Sequence, residues 1–560
     1  MMDNAAIADN FSLLSKLMDI HGENSFKSKT YSIAAFYIEK LPEQLGNTDR
    51  SAIARIKGIG DSVAKKIIEM LDTGALTVLN EIIADTPPGV IEMLNIKGIG
   101  PKKIHTIWKE MGIESIGELQ YACNENRLTL YKGFGATTQQ KVLEAINFYL
   151  ANQGHFLYAQ LHPVFPQVQQ YLQQLFGAGK VALTGAFKRQ MPTIEEMAFV
   201  VNETNDTIKP KFISAFPPDL LEETDNSLLY QLKNGLRLRL YTGTSHFAQR
   251  VFDHSGSPEF VTSFYQEFPN LAIDTASPDD AQYFTAAGIA YIPPCLRETT
   301  TIIKTAAQKQ LPVLIQPGDI KGIIHNHSNW SDGTNTIEEM AQALIAQGKE
   351  YLVLSDHSKS ATYANGLTEQ RIAEQHRYID ELNKKLAPFK IYKSIECDIL
   401  GTGQLDYSND VLSTFDLVIA SVHSNLQMNE EKAMQRLLTA IQNPYTTILG
   451  HMTGRLLLSR NGYPVDHKTI IDACAAHNVA IELNAHPRRL DIDWQWIPYA
   501  LEKNVLISIN PDAHFIEGFN DVTYGVLAAQ KGGLTKENNL SSFSLQQFDD
   551  YVQQRKAGIR

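Results

Sequence analysis

The sequence is poor in cysteine. Four occur in 560 residues, at Cys123, Cys295, Cys397 and Cys474, and none forms a Cys-x-x-Cys pair. That excludes a disulfide framework and a thiolate zinc site, and it points to a reducing cytoplasm. No apolar run approaches the roughly 20 residues that a membrane helix needs. The opening "MMDNAAIADNFSLLSK" has no basic segment ahead of an apolar block, so a cytoplasmic protein without membrane contact is expected. An excess of positive charge is also missing. The formal charge of −12 argues against tight, non-specific duplex binding, yet backbone amides and local lysines can still hold phosphates. It also suits a carboxylate-rich metal centre. What is there is ordinary for a globular chain, 43% hydrophobic and 20% charged, with a length that suggests roughly three to five domains.

The N-terminal third repeats itself. "RIKGIGDSVAKKIIEML" at 55–71 returns as "NIKGIGPKKIHTIWKEM" at 95–111 and, more weakly, as "LYKGFGATTQQKVLEAI" at 130–146. Each is an apolar residue, Lys and Gly-x-Gly ahead of an amphipathic helix. Gly58 and Gly60, Gly98 and Gly100, and Gly133 and Gly135 permit tight turns that aim unpaired amides outward at a helix N-terminus. Such a nest suits a phosphate oxygen, and Lys57, Lys97 and Lys102 add positive charge nearby. The alternative is three tight helix–helix turns without a ligand. The repetition favours contact with a nucleic-acid backbone.

"IKGIG" ahead of a Lys-bearing helix resembles the helix-hairpin-helix motif of DNA-repair proteins. The order of motifs over residues 1–315 resembles that of family X DNA polymerases. Tyr31 and Lys66 fall where that family's lyase domain places its Tyr and Schiff-base Lys, which makes Lys66 a lyase candidate. Its neighbour Lys65 would help lower its pKa; the bland alternative is a solvated lysine pair beside a phosphate.

The segment "VALTGAFKRQMPTIEEMAFVV" reads as two strands joined by a turn. In family X polymerases it carries Gly-Ser and then Asp-x-Asp, with a third Asp on a neighbouring strand; these acids hold two Mg²⁺ ions. Here the Gly-Ser position is Gly185–Ala186, the Asp-x-Asp position is Glu196-Met197-Ala198, and Arg239 aligns with the third acid. No Asp-x-Asp occurs between 180 and 250. One carboxylate beside a guanidinium cannot hold two Mg²⁺ ions. A vestigial polymerase site is therefore expected, within a fold whose other landmarks, "HSGSPEFV" at 254–261 and "GIAYIPPCLRE" at 288–298, persist.

Beyond "LPVLIQPGDIKG" the chemistry changes. Ten of the 16 histidines lie past residue 320. Seven strand-like runs each end in polar residues: His325 and His327; Asp356 and His357; Glu396 and Asp398; His423; His451; Glu482 and His486; Asp512 and His514. Strand, ligand and helix in alternation describe a parallel (βα) barrel with a metal site at the C-terminal strand ends. The signatures "HNHSNWSDG", "SDHS", "SVHS", "GHMTGR" and "PDAH" resemble the PHP (polymerase and histidinol phosphatase) family, and the whole order resembles that of bacterial PolX proteins. The resemblance implies nine metal ligands, namely His325, His327, Asp332, His357, Glu396, His423, His451, Asp512 and His514. It also implies three ions, phosphoester hydrolysis and 3′→5′ exonuclease or 3′-end trimming. Ile324 departs from the acidic residue often found before the first His. Histidines and carboxylates without cysteine favour Mn²⁺, Zn²⁺ or Fe²⁺, and Glu396 can bridge two ions. Asp356 is expected to orient a ligand histidine. Arg455, Lys359 and Arg488 are candidates for holding the substrate phosphate, or else surface salt-bridge partners. His376, His467 and His477 read as bystanders on helices.

The fold expected is multidomain, α+β and α/β. It comprises a lyase-like helical domain at 1–85 with the first helix-hairpin-helix, a second helix-hairpin-helix domain at 86–150, and a degenerate nucleotidyltransferase palm at 151–242. A thumb follows at 243–316 and a distorted seven-stranded PHP barrel at 319–560. The activity expected is metal-dependent hydrolysis at DNA 3′ ends by His325, His327, Glu396, Asp356 and Arg455. The partner expected is gapped, nicked or 3′-ended DNA, and the chain is expected to be monomeric. A Mg²⁺-dependent polymerase is not expected. The alternatives are an active polymerase with a PHP exonuclease, or a small-molecule phosphatase.

Overall fold

The structure, a computed structural model, describes residues 2–124, 127–151, 154–213, 219–232, 235–271, 273, 279–458 and 461–558. It divides into two compact units, 1–153 and 154–560.

The first unit is helical. Its core runs unbroken from Ile7 and Phe11 through Val63, Ile67 and Ile104 to Val142 and Ile146. The division expected at residue 85 is therefore not a break in the core. The first helix, Asn4–His21, packs on helix Pro101–His105, and His105 Nδ1 lies 2.8 Å from the Ile20 carbonyl oxygen. Short helices cannot bury an apolar stripe alone, so the repeats condense on one another.

The second unit holds two main sheets and, between them in the chain, an aromatic cluster. A five-stranded sheet, where the palm is expected, pairs Val181–Thr184 antiparallel with Glu196–Val201, which runs parallel to Arg237–Tyr241; Ser227–Gln231 and the edge strand Asp219–Thr224 complete it. Between the first two strands lies a one-turn helix, Gly185–Lys188, rather than a simple turn. A thumb-like cluster rich in aromatic residues follows, with Phe252, Phe260, Phe264, Tyr283 and Phe284 around buried Arg297. Arg297 pairs with Asp280 at 2.6 Å.

Seven parallel strands then form a single sheet in chain order, from Gly322–Ile324 to Ile507–Asn510. A parallel bridge between Asn326 and Ala513 brings its two edges together into a nearly closed barrel. Tyr351–Leu354 and Ala480–Asn484 are buried on both faces, which is why they read as continuous apolar runs. Tyr351 and Val353 join an inner cluster with Tyr392, Ile419, Ile448 and Phe548 of the terminal helix. Leu352 and Leu354 face the outer helices. Period-two alternation thus fills the inside and outside of the barrel from the same strands. Helix starts are locally encoded, as where Thr336 and Glu339 form a capping box for Ile337–Ala346. Among the described residues, no helix is long and apolar enough to cross a membrane.

Candidate functional site

At the C-terminal ends of the barrel strands, ligand-type side chains converge in four overlapping groups. They are His327, Asp332, His357 and His514; His325, His327 and Asp512; His325, Glu396 and His451; and His357, Glu396 and His423. Within each group the ligand atoms lie within 4.8 Å of one another. All nine positions that the family resemblance implies are brought together here. Glu396 lies at the centre. Its Oε1 is 3.0 Å from the Nε2 of both His423 and His451, and its Oε2 is 2.9 Å from His357 Nδ1. Among the described residues, His325 Nε2 and Glu396 Oε2 are fully buried without an aligned hydrogen bond. Such atoms, close but not bonded, fit a set of lone pairs aimed at shared cations, so a metal suits the donors present. His325 and Asp512 also hold left-handed backbones, at φ 59° and 53°, a strain that persists where the surroundings fix it.

The charges explain how the cluster exists at all. Burial opposes ionisation of Glu396, but His423, His325 and His357 hold its carboxyl well below the usual range. Burial likewise opposes protonation of His423, yet Glu396 and Asp398 raise it to about 10. His514 is raised to about 9, by Asp332 and Asp512 against the effect of burial. His327 goes the other way, pushed down to about 3 by burial and by neighbouring His357. The cluster is a set of buried ion pairs whose protons a metal would displace.

Two further carboxylates orient the ligands, and the sequence reading noted them at strand ends without giving them this task. Glu482 Oε2 lies 2.5 Å from His325 Nδ1, and its Oε1 accepts the His451 amide at 3.0 Å. Asp398 Oδ1 lies 2.5 Å from His423 Nδ1. Each fixes one ring nitrogen so that the other faces the cluster. Their position one or two residues from the ligand level of a strand end was the available signal.

In the palm, Arg239 sits opposite Ala198 in the parallel pair. Its Nε lies 2.9 Å from Glu196 Oε2 and a terminal nitrogen lies 3.0 Å from Glu222 Oε1. Burial works against its charge, but the hydrogen bonds it donates to Glu222 and Glu196 raise its pKa overall. Glu222, on the edge strand, was not foreseen. Gly185 has φ 72°, and a Cβ there would come within 2.8 Å of the Ala198 methyl; Ala186 is half-buried beside it. The loop cations are also engaged, Lys188 with Ser255 at 2.9 Å and Arg189 with Glu298 at 2.9 Å.

The three Gly-x-Gly loops share one backbone. Gly58, Gly98 and Gly133 have φ between 84° and 93°. Gly60 and Gly100 cap the next helices in extended conformation, and Gly135 stands just ahead of helix Ala136–Ala151. The middle residues Ile59, Ile99 and Phe134 are buried, which anchors each loop from below. A Cβ on Gly60, Gly100 or Gly135 would meet open space. Lys57, Lys97 and Lys102 are exposed beside them. Lys66 is half-buried on helix Asp61–Thr73, and Tyr31 is buried against Phe11, with centroids 5.6 Å apart.

Comparison with known proteins agrees with this geometry. Family models for a helix-hairpin-helix domain, a SAM-like helix-hairpin-helix tandem and a PHP domain match residues 2–76, 90–147 and 324–486. The chain is 31% identical over 555 residues to the DNA polymerase/3′-5′ exonuclease PolX of Bacillus subtilis (strain 168), covering 96% of both chains. The chain belongs to the PolX family. Its C-terminal part is also similar to two proteins described as probable phosphatases. One, from Thermoanaerobacter sp. (strain X514), is 24% identical, over 42% of this chain and 95% of that protein. The other, from Vibrio parahaemolyticus, is 26% identical, over 39% and 88%.

Some expectations fail in this PolX-family chain. Asp356 orients no histidine: it is wholly buried and accepts from Ser328 N and Oγ at 2.8 Å, Ser331 Oγ at 2.5 Å and Gln375 Nε2 at 2.7 Å. It braces the loop that carries His327 and Asp332. Arg455 is not poised for substrate either. It donates to the Arg489 carbonyl at 2.9 Å, to Asp493 at 2.5 Å and to the Leu490 carbonyl, clamping the loop after the sixth strand. Lys359 pairs with Glu369 at 2.6 Å. Arg488 is exposed, and among the described residues it forms no ion pair with the cluster. His376 and His467 pack on Phe415 and Trp496.

Proposed function

We propose that this chain is a metal-dependent phosphoesterase that processes DNA 3′ ends, as a 3′→5′ exonuclease or 3′-end trimming enzyme, and that it does not polymerise. The observation that carries the reading is the convergence of nine ligand-type side chains at one end of the barrel, in a chain of the PolX family. Three divalent ions, Mn²⁺, Zn²⁺ or Fe²⁺, suit the four overlapping groups, because shared residues such as Glu396 would bridge neighbouring ions. When bound, they would supply Lewis-acid activation of the phosphoryl group and of water. The chain's own residues prepare the site. Glu482 and Asp398 hold the Nδ1 side of His325 and His423, leaving each Nε2 turned inward. Asp356 fixes the 328–331 loop, and Arg455 fixes the 489–493 loop.

The DNA backbone would lie on the three hairpin loops, through amides at the open faces of Gly60, Gly100 and Gly135 and through the adjoining lysines. Loss of polymerisation is supported by Arg239, whose guanidinium stands between Glu196 and Glu222 where the family resemblance calls for metal ligands. Lys66 as a lyase nucleophile stays a proposal resting on its position alone. A second reading, phosphomonoester hydrolysis on smaller substrates, is favoured by the probable phosphatases similar to the barrel.

The test is a 5′-labelled primer–template incubated with Mn²⁺ and all four deoxynucleotides. Shortening without extension, abolished in His327→Ala, is the expected result. Lengthening, above all in His327→Ala, would overturn the loss of polymerisation.

A further inference from the structure

A fixed cation beside the metal ions of a phosphoesterase can take a non-bridging phosphoryl oxygen, and most basic groups around the barrel mouth are committed elsewhere. Arg455 spends its donors on the 489–493 loop, and Lys359 is paired with Glu369. Arg371 donates to the carbonyls of Trp330, Asn365 and Gly366. Arg489 differs. Its Nε lies 3.4 Å from Asp512 Oδ2, the oxygen turned away from His327. Its side chain is 19% exposed, and among the described residues its terminal nitrogens have no hydrogen-bond partner. A guanidinium that touches a metal ligand with one edge and leaves its fork open is arranged for a phosphate oxygen pair.

The loop that carries it faces the palm across a cleft. Pro487 and Leu490 line a small cleft with Tyr158, Gln190 and Pro192 of the palm. Tyr158 is held by stacking on Phe187 at 4.5 Å. On the barrel side, buried Lys531 donates to the Arg189 carbonyl at 2.8 Å and pairs with Glu298 at 2.9 Å. We propose that Arg489 holds the substrate phosphoryl group beside the metal centre, and that the palm now serves as the wall that positions the Arg489 loop. The inference rests on the phosphoesterase reading. The polymerase-like segment would thereby give rigid support to a neighbouring site.

The experiment uses the full chain loaded with Mn²⁺. It measures bound metal, the affinity for inorganic phosphate by calorimetry, and kcat and KM on a labelled 3′-ended oligonucleotide. Arg489→Ala is expected to keep its metal content and to lose phosphate affinity by about ten- to a hundredfold, the range for a lost hydrogen bond to a charged group; Arg489→Lys is expected to keep part of it. Tyr158→Ala is expected to weaken phosphate binding by less, in the same direction, and to add nothing once Arg489 is gone. Unchanged phosphate affinity in Arg489→Ala, or loss of metal in step with loss of binding, overturns the role of Arg489. Additive effects of Tyr158→Ala and Arg489→Ala overturn the role of the palm. A wild-type protein that binds phosphate through Arg489 but cleaves no phosphoester would instead remove the reading beneath it.

Discussion

Arg239 Nε lies 2.9 Å from Glu196 Oε2, and the same guanidinium reaches Glu222 at 3.0 Å. A cation of the protein's own thus pairs with both Glu196 and Glu222. The side chains of Arg239 and Glu196 are only 16% and 28% exposed, so removing the cation strands partly desolvated carboxylates. Arg239→Leu is expected to destabilise the second unit by roughly 1–3 kcal/mol, read as a lower midpoint in calorimetry. Primer extension with Mg²⁺ is expected to be absent in both proteins; extension by wild type, or extension gained by Arg239→Asp, would show that the palm binds metal.

Metal content should follow the sharing of ligands. Glu396 and His327 each belong to two groups, whereas His423 and Asp332 each belong to one. Elemental analysis of Glu396→Gln or His327→Ala is therefore expected to show a larger loss of bound metal than His423→Ala. Equal losses would contradict the grouping.

Glu482 and Asp398 are expected to tune the metal without touching it. Glu482→Gln and Asp398→Asn should each weaken metal affinity by about ten- to a hundredfold, as measured by competition with a chelator, with the fold retained.

Metal loading should release protons. Without metal, His423 and His514 are raised to about 10 and 9, and His325 is raised well above its usual range. These rings are therefore protonated at pH 7 and must give up protons to become ligands. Affinity should rise with pH from neutrality towards pH 9 to 10, because fewer protons then need displacing. Calorimetry in buffers of different ionisation enthalpy should report on the order of two to three protons released when the whole cluster is loaded.

The hairpin glycines should separate into two kinds. Gly58 has φ 84° and a Cβ there would lie 2.0 Å from the Tyr37 ring, so Gly58→Ala should cost at least about 1–2 kcal/mol of stability. Gly100 has an extended backbone and open space before it. Gly100→Val should fold normally, bind DNA more weakly and reduce the salt dependence of binding. A variant with full DNA affinity would remove that loop from the interface.

Much of this was written locally. A Gly-x-Gly ahead of an amphipathic helix must turn where a positive φ is available, and an apolar run with a histidine at its end must place that histidine at a strand terminus. Repetition of such short rules therefore marked the hairpin loops and the strand ends where ligand-type residues gather, while the choice of nine among them came from the family resemblance. The roles of Asp356, Arg455, Glu482, Arg489 and Glu222 were decided only by tertiary structure. A carboxylate or guanidinium carries the same charge wherever it stands. Whether it braces a loop, orients an imidazole or faces a substrate depends on neighbours such as Ser328, the Leu490 carbonyl, His325 and Asp512. Those neighbours lie 28 to 157 residues apart in the pairs Ser328–Asp356 and His325–Glu482. Only the closing of the barrel brings such partners within hydrogen-bond reach, because spacing along the chain sets local conformation but not which distant groups will meet.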